Sequence, residues 1–278
     1  MSQASGDFVE RARELAAGRL KPAPTRDAAT VVLLRDAVRR SGVEAYLLRR
    51  VKSMAFAGGM YVFPGGSVDP RDADHDMPWV GPSPAQWTSI LTADVHLARA
   101  LVCAAVRETF EESGVLLTCS ASGALPVRVD ADWEADRQAL VDRTLSFSEF
   151  LEQRALAVHT ESLRPWAHWI TPEFEPRRFD TRFFVAALPD GQQARDVGGE
   201  ADEAQWMHVD EALDRQAKGE LAMLPPTIFT LSEIAAYDSV ANVLEAAVKR
   251  DVAPKLPKVV VDGSAVRFLL PGDEGYSR

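Results

Sequence analysis

The spacing of apolar and polar residues changes along the chain, and each change predicts an element. Residues 29–37 (ATVVLLRDA) and 43–51 (VEAYLLRRV) are short runs rich in β-branched and aliphatic side chains, separated by Arg39-Arg40-Ser41-Gly42. That pattern predicts an antiparallel strand pair. A third extended run, Met60 to Phe63, ends at Pro64-Gly65-Gly66. Residues 67–92, rich in Asp, Pro, Gly and Trp, keep neither period and predict a long loop. From Asp94 to Ser113 the residues Val95, Leu97, Ala98, Leu101, Val102, Ala105, Val106 and Phe110 recur at helical spacing, with Gly114 placed to close the helix in a left-handed cap.

Further on, Val115 to Thr118 predicts a strand, and Ser146-Phe147-Ser148-Glu149 reads as a capping box opening a helix over 147–156. Strands are predicted at 166–171 and 178–188 and helices at 209–217, 226–237 and 240–249. A terminal hairpin of 259–261 with 266–270 turns around Asp262-Gly263. Strands and helices mix without strict alternation, which predicts an α/β sandwich around a mixed sheet. The expected organisation is an N-terminal extension (1–28), one elaborated domain (29–230) and a C-terminal extension (231–278) packed on that domain.

Composition narrows the classes. No apolar run approaches the roughly 20 residues that cross a bilayer. The start, MSQASGDFVERARELAAGRL, does not resemble a secretory signal, and Gly275-Tyr276-Ser277-Arg278 does not resemble a peroxisomal Ser-Lys-Leu address. The cytoplasm is the expected compartment, with Cys103 and Cys119 as reduced core residues. A net charge of −10 argues against broad binding to nucleic acid or anionic lipid. A phosphorylated small molecule stays open, because a divalent cation reverses the field inside one acidic site. Nothing selects an oligomer; a homodimer is compatible.

Glu108, Glu111 and Glu112 stand at i, i+3 and i+4, so they share one side of the helix within a turn. Three negative charges are crowded at a helix C-terminus, where the dipole already disfavours anions. Arg107 is one available counter-ion, and a hard divalent metal such as Mg²⁺ or Mn²⁺, which prefers carboxylate oxygens, is another. A solvated charged helix end is the ordinary reading of such a cluster, and a glycine pair such as Gly65-Gly66 is by itself only a turn.

Taken in order, Phe63-Pro64-Gly65-Gly66 and then Arg107-Glu108-Thr109-Phe110-Glu111-Glu112-Ser113-Gly114-Val115 resemble the signature of the Nudix hydrolases. Thr109 departs from the aliphatic residue of that pattern. Arg107 follows Gly66 by 41 positions rather than 14, which leaves an insertion of about 27 residues spanning 67–94. Asp72, six positions after Gly66, falls inside it and is given no role. An insertion at this place, with RRFDTRFFVAALP and GGEADEAQWMHVDEAL downstream, resembles the nudix motif nineteen-like coenzyme A diphosphatase branch.

The resemblance implies an α/β/α sandwich and a Mg²⁺ or Mn²⁺ cofactor held by Glu108, Glu111, Glu112 and the Gly65 carbonyl. It implies that Arg107 orients a glutamate; from spacing alone an ordinary helix ion pair serves equally. The proton-accepting group comes from the motif itself (Glu111, Glu112) or from a later loop, where Glu200 and Glu203 are candidates and a solvated acidic loop is the alternative. Substrate phosphates would be met by a minority of Arg49, Arg50, Lys52, Arg177, Arg178, Arg182 and Arg195; Arg49, Arg50, Arg178 and Arg182 are the chosen candidates. Trp79 and Trp87 serve as a lid or as anchors of the insertion. The implied reaction is hydrolysis of the pyrophosphate of coenzyme A or its acyl forms. Other nucleoside diphosphate conjugates, such as ADP-ribose or a dinucleotide, and a non-catalytic nucleotide-binding module are the alternatives.

Overall fold

A computed structural model of the chain describes residues 4–38, 40–54, 57–120, 122–124, 133–199, 201–262 and 265–276. Two compact units partition it: one of residues 28–167 and 182–252, the other of residues 1–27, 168–181 and 253–278.

In the larger unit, strands β1 (Thr25–Asp36) and β2 (Val43–Arg50) pair antiparallel, with Leu34 opposite Ala45. Short strands β3 (Tyr61–Val62) and β4 (Gly65–Ser67) extend from them, β3 on β2 and β4 on β1. A second, three-stranded sheet is built from β5 (Trp79–Val80), β6 (Thr118–Ser120) and β7 (Leu156–His159), in which β7 is parallel to β5 and antiparallel to β6. Strands β8 (Arg164–Ile170) and β9 (Arg178–Ala187), whose residues 168–170 and 178–181 belong to the smaller unit, and β10 (Ala201–His208) complete the main order β10-β2-β1-β9-β8. Ala29, Val31, Leu33, Tyr46 and Leu48 of β1 and β2 share the core with Leu101, Val102, Ala105, Val106 and Phe110.

Those last five residues belong to α3 (Val95–Ser113), the longest helix among the described residues. Asp94 caps its start by accepting from Leu97 N at 2.8 Å, and Gly114, at φ 71°, closes its end with its N–H on Phe110 O. An L-residue with a side chain pays to enter that left-handed conformation, which is why glycine ends the helix there. Helix α2 (Pro84–Leu91) precedes it; α4 (Glu134–Val141), α5 (Phe147–Gln153), α6 (Val209–Ala217), α7 (Pro225–Ile234) and α8 (Val240–Val248) follow. The expected capping box at α5 is present, Ser146 and Glu149 exchanging side-chain to backbone bonds.

The smaller unit holds helix α1 (Ala4–Ala16), strand β11 (Pro254–Lys255) and the hairpin β12 (Lys258–Asp262) with β13 (Ala265–Leu269). Within this unit β11 runs parallel to the end of β8, at His168 and Trp169, so the sheet is mixed as expected. Gly263, at the predicted hairpin turn, and Arg39, at the first turn, lie outside the described residues.

Residues 67–92 are not a loop. Pro70–Ala73 forms a 3-10 helix whose N-cap Asp69 and third residue Asp72 make a reciprocal capping box, followed by β5 and α2. Trp87 is buried with its ring 6.0 Å from Phe184, and the Trp79 indole N–H donates to Pro82 O at 2.6 Å beneath Arg99. Elements of two to eight residues held by caps and tryptophans are too short to display a period. Strand β10 shows no sequence signal for another reason: it ends the sheet order, and its ADEAQWMH sequence lacks an alternating apolar face. Among the described residues no helix is by itself long and apolar enough to cross a membrane.

Candidate active site

The turn after β3 and the last two turns of α3 form the acidic centre. Pro64 O accepts from Val31 N at 2.8 Å, and Gly65, Gly66 and Ser67 lie opposite Thr30, Ala29 and Ala28 of β1. A Cβ on Gly65 would sit 2.5 Å from the Ala29 carbonyl oxygen; one on Gly66 would sit 2.5 Å from the Glu108 carboxylate. The two glycines therefore do different work. The first allows the turn to press against a strand backbone, and the second admits a glutamate against the chain. Glu112 reaches the same turn, its Oε2 accepting from Gly65 N at 2.8 Å.

Arg107 organises the other two glutamates. Its Nη1 donates to Glu108 Oε1 at 2.8 Å and to Glu111 Oε1 at 3.1 Å, while Nε and Nη2 each donate to a separate Asp72 oxygen at 2.9 Å. Nη2 also reaches Ser67 O at 3.2 Å. Asp72 is 1% exposed and accepts from Asp69 N at 2.8 Å. Asp72 is the member of this cluster to which the sequence pattern gives no role, and its place six positions after Gly66 is the signal that points to it.

Burial dominates the electrostatics. It pushes the Glu108 carboxyl up to about 7 against the opposing pull of Arg107, and it raises Glu111 and Asp72 as well. Three carboxylates, those of Asp72, Glu108 and Glu111, share the Arg107 guanidinium, so the cluster carries excess negative charge whenever all are ionised. Among the described residues no three such side chains converge as a ready-made metal cage, because Glu108 and Glu111 turn to Arg107 and Glu112 to the turn. The donors are nonetheless all oxygen, the chemistry that Mg²⁺ and Mn²⁺ prefer.

The remaining sequence candidates fall elsewhere. Glu203 is in strand β10, opposite Arg49 of β2, not in a flexible loop. Both its oxygens are engaged: Oε2 by Tyr61 Oη at 2.9 Å and Arg49 Nη1 at 2.8 Å, Oε1 by Gln205 Nε2 at 2.6 Å. Arg49 also binds Asp202 at 2.6 Å, so two proposed site residues satisfy each other across adjacent strands. Arg182 is buried and donates to the Leu91 carbonyl at 3.3 Å, at the end of α2. Arg178, in the smaller unit, donates to Thr171 O and Ala23 O. Arg50 is half-buried on β2, Lys52 and Arg177 are exposed, and Arg195 is taken up beside Gly114. Glu200 lies outside the described residues. Cys103 and Cys119 are buried and unpaired with each other, as expected.

Residues 82–234 match the family model described as the NUDT19 Nudix domain. The chain belongs to the Nudix hydrolase family. It is 27% identical over 275 residues to a human protein named acyl-coenzyme A diphosphatase NUDT19, covering 84% of this chain and 72% of that one. A Xenopus laevis protein of the same name is 24% identical over 286 residues, covering 85% and 72%. The fold is similar to the crystal structure of a Nudix hydrolase from Alicyclobacillus acidocaldarius, at TM-score 0.68 and 30% identity, covering 80% of this chain and 96% of that one. The matched family region of this Nudix hydrolase starts within the insertion, after the glycine turn. The tertiary structure supplies that turn, through the contacts of Gly65 and Gly66 with Glu112 and Glu108.

Proposed function

We propose that this Nudix hydrolase cleaves the pyrophosphate of coenzyme A or an acyl-coenzyme A with Mg²⁺ or Mn²⁺, releasing 3′,5′-ADP and 4′-phosphopantetheine or its acyl form. The observation that carries the chemistry is the convergence of Glu108 and Glu112 on the Gly65-Gly66 turn. The substrate class is supported by the names of the human and frog relatives.

Glu108, Glu111, Glu112 and the Gly65 carbonyl would hold the ion. Bound there, it would neutralise pyrophosphate charge and lower the pKa of a water for attack at phosphorus. The protein's own contribution is placement. Asp72 orients Arg107, Arg107 draws Glu108 and Glu111 together, and the Gly65 amide orients Glu112. With Glu203 enclosed by Tyr61, Arg49 and Gln205, the motif glutamates are the better proton acceptors.

The test is product analysis by mass spectrometry with coenzyme A, an acyl-coenzyme A, dephospho-coenzyme A and ADP-ribose, with and without Mg²⁺, for the native chain and Glu111→Gln. Metal-dependent 3′,5′-ADP from coenzyme A, lost in Glu111→Gln, is expected. Equal turnover of dephospho-coenzyme A would remove the case for coenzyme A, and equal activity of Glu111→Gln would remove the metal assignment.

A further inference from the structure

The last turn of α3, which carries Glu111 and Glu112, is tied down from outside the Nudix motif. Helix C-termini leave four carbonyls without intrahelical partners. Here Phe110 O accepts from Gly114 N, Ser113 O accepts from Arg195 N at 3.0 Å, and Glu111 O accepts from Arg137 Nη1 at 2.7 Å. Arg137 comes from α4 and is 3% exposed. Its orientation is fixed in turn by Glu134, whose Oε1 accepts from Arg137 Nε at 3.0 Å and from Nη2. The other oxygen of Glu134 binds the Arg195 guanidinium, and Tyr46 Oη donates to Arg195 O at 2.6 Å.

A surface cap would do as well with one exposed lysine. Burying a guanidinium is costly unless its donors are satisfied, and the donors described here go to one carboxylate and to the backbone of a glutamate. We propose that Arg137, held by Glu134, is a positioning residue: it fixes the Glu111 backbone and so the spacing of the carboxylates that receive the divalent cation. The inference rests on the metal-dependent reading above. A terminal turn frays readily, and in α3 like charges and the helix dipole both favour fraying. Arg137 opposes it both as a hydrogen-bond donor and as a cation at the negative end of the helix.

The test uses the full chain and follows Mn²⁺ binding by electron paramagnetic resonance and calorimetry, with steady-state kinetics on coenzyme A beside it. Arg137→Met is expected to lose about 10-fold in Mn²⁺ affinity and a similar factor in kcat, with KM for the nucleotide little changed. Arg137→Lys, which keeps one donor for Glu111 O, recovers part of both. Arg137→Met that melts like the native protein and binds Mn²⁺ equally well overturns the assignment. Should Arg137→Met not fold, Glu134→Gln releases the guanidinium while leaving the charge in place; weaker Mn²⁺ binding supports the role and native affinity overturns it. A native chain that neither binds Mn²⁺ nor hydrolyses any nucleotide would instead overturn the functional reading, whatever the variants do.

Discussion

Arg107 and Asp72, 35 positions apart in the chain, form a two-pronged ion pair, Nε and Nη2 each 2.9 Å from a separate carboxylate oxygen. The pair joins the start of the insertion to the glutamate helix and leaves Nη1 for Glu108 and Glu111. Asp72→Asn keeps the shape and removes the charge from a buried pair. Breaking such a pair costs about 3–5 kcal/mol, and Asn retains one acceptor, so a loss near the lower end is expected in urea unfolding. Activity should fall about 10- to 100-fold, because Arg107 is no longer held in place.

The two glycines of the turn should fail in different ways. Gly66→Ala places its methyl against the movable end of Glu108, so unfolding stability should change little while Mn²⁺ affinity and turnover fall. Gly65→Ala meets the backbone of Ala29 and Thr30, so its melting temperature should drop. Calorimetry with metal titration separates the outcomes; equal melting of both variants contradicts this division of roles.

Stability of the metal-free protein should decline as pH rises from about 4.5 to about 7, since the Glu108 carboxyl is raised to about 7 by burial. The folded state then holds a proton that the unfolded chain has released, and each pH unit across that window weakens the fold. Below the window the penalty is absent. Coupling to Arg107 and Glu111 limits the effect to on the order of 2 kcal/mol. Melting scans from pH 4.5 to 8 should show a decline that Mg²⁺ reduces, and a flat metal-free profile would count against a buried Glu108.

Trp87 anchors the insertion against the core at Phe184. Trp87→Ala should cost about 3–5 kcal/mol, read as a shift in urea midpoint. A substrate lid would instead show an unchanged midpoint with a raised KM.

Glu203→Gln distinguishes a strand residue from a proton acceptor. Loss of a general base costs about 10²- to 10⁴-fold. With both oxygens already held by Tyr61, Arg49 and Gln205, the expected loss in kcat is less than about 10-fold on that scale.

The boundaries and chemistry of α3 were legible because they are local. Helical periodicity, an aspartate cap, a left-handed glycine and the i, i+3, i+4 glutamates all act within a turn of their neighbours in sequence. The strand pair β1 and β2 and the exact span of α6 followed from period and punctuation in the same way. What the chain alone did not disclose depends on residues far apart in it. Asp72 gains its role only because the insertion folds as capped short helices and returns it to Arg107. Arg49 and Glu203 cancel each other only because β10 pairs with β2 at that register, and Arg182 donates to the Leu91 carbonyl only because residues 91 positions apart meet in space. Arg137 has no motif at all. Sequence spacing set which carboxylates share one helix face, whereas tertiary packing decided which cations reach them, since an ion pair depends on distance in space and not along the chain.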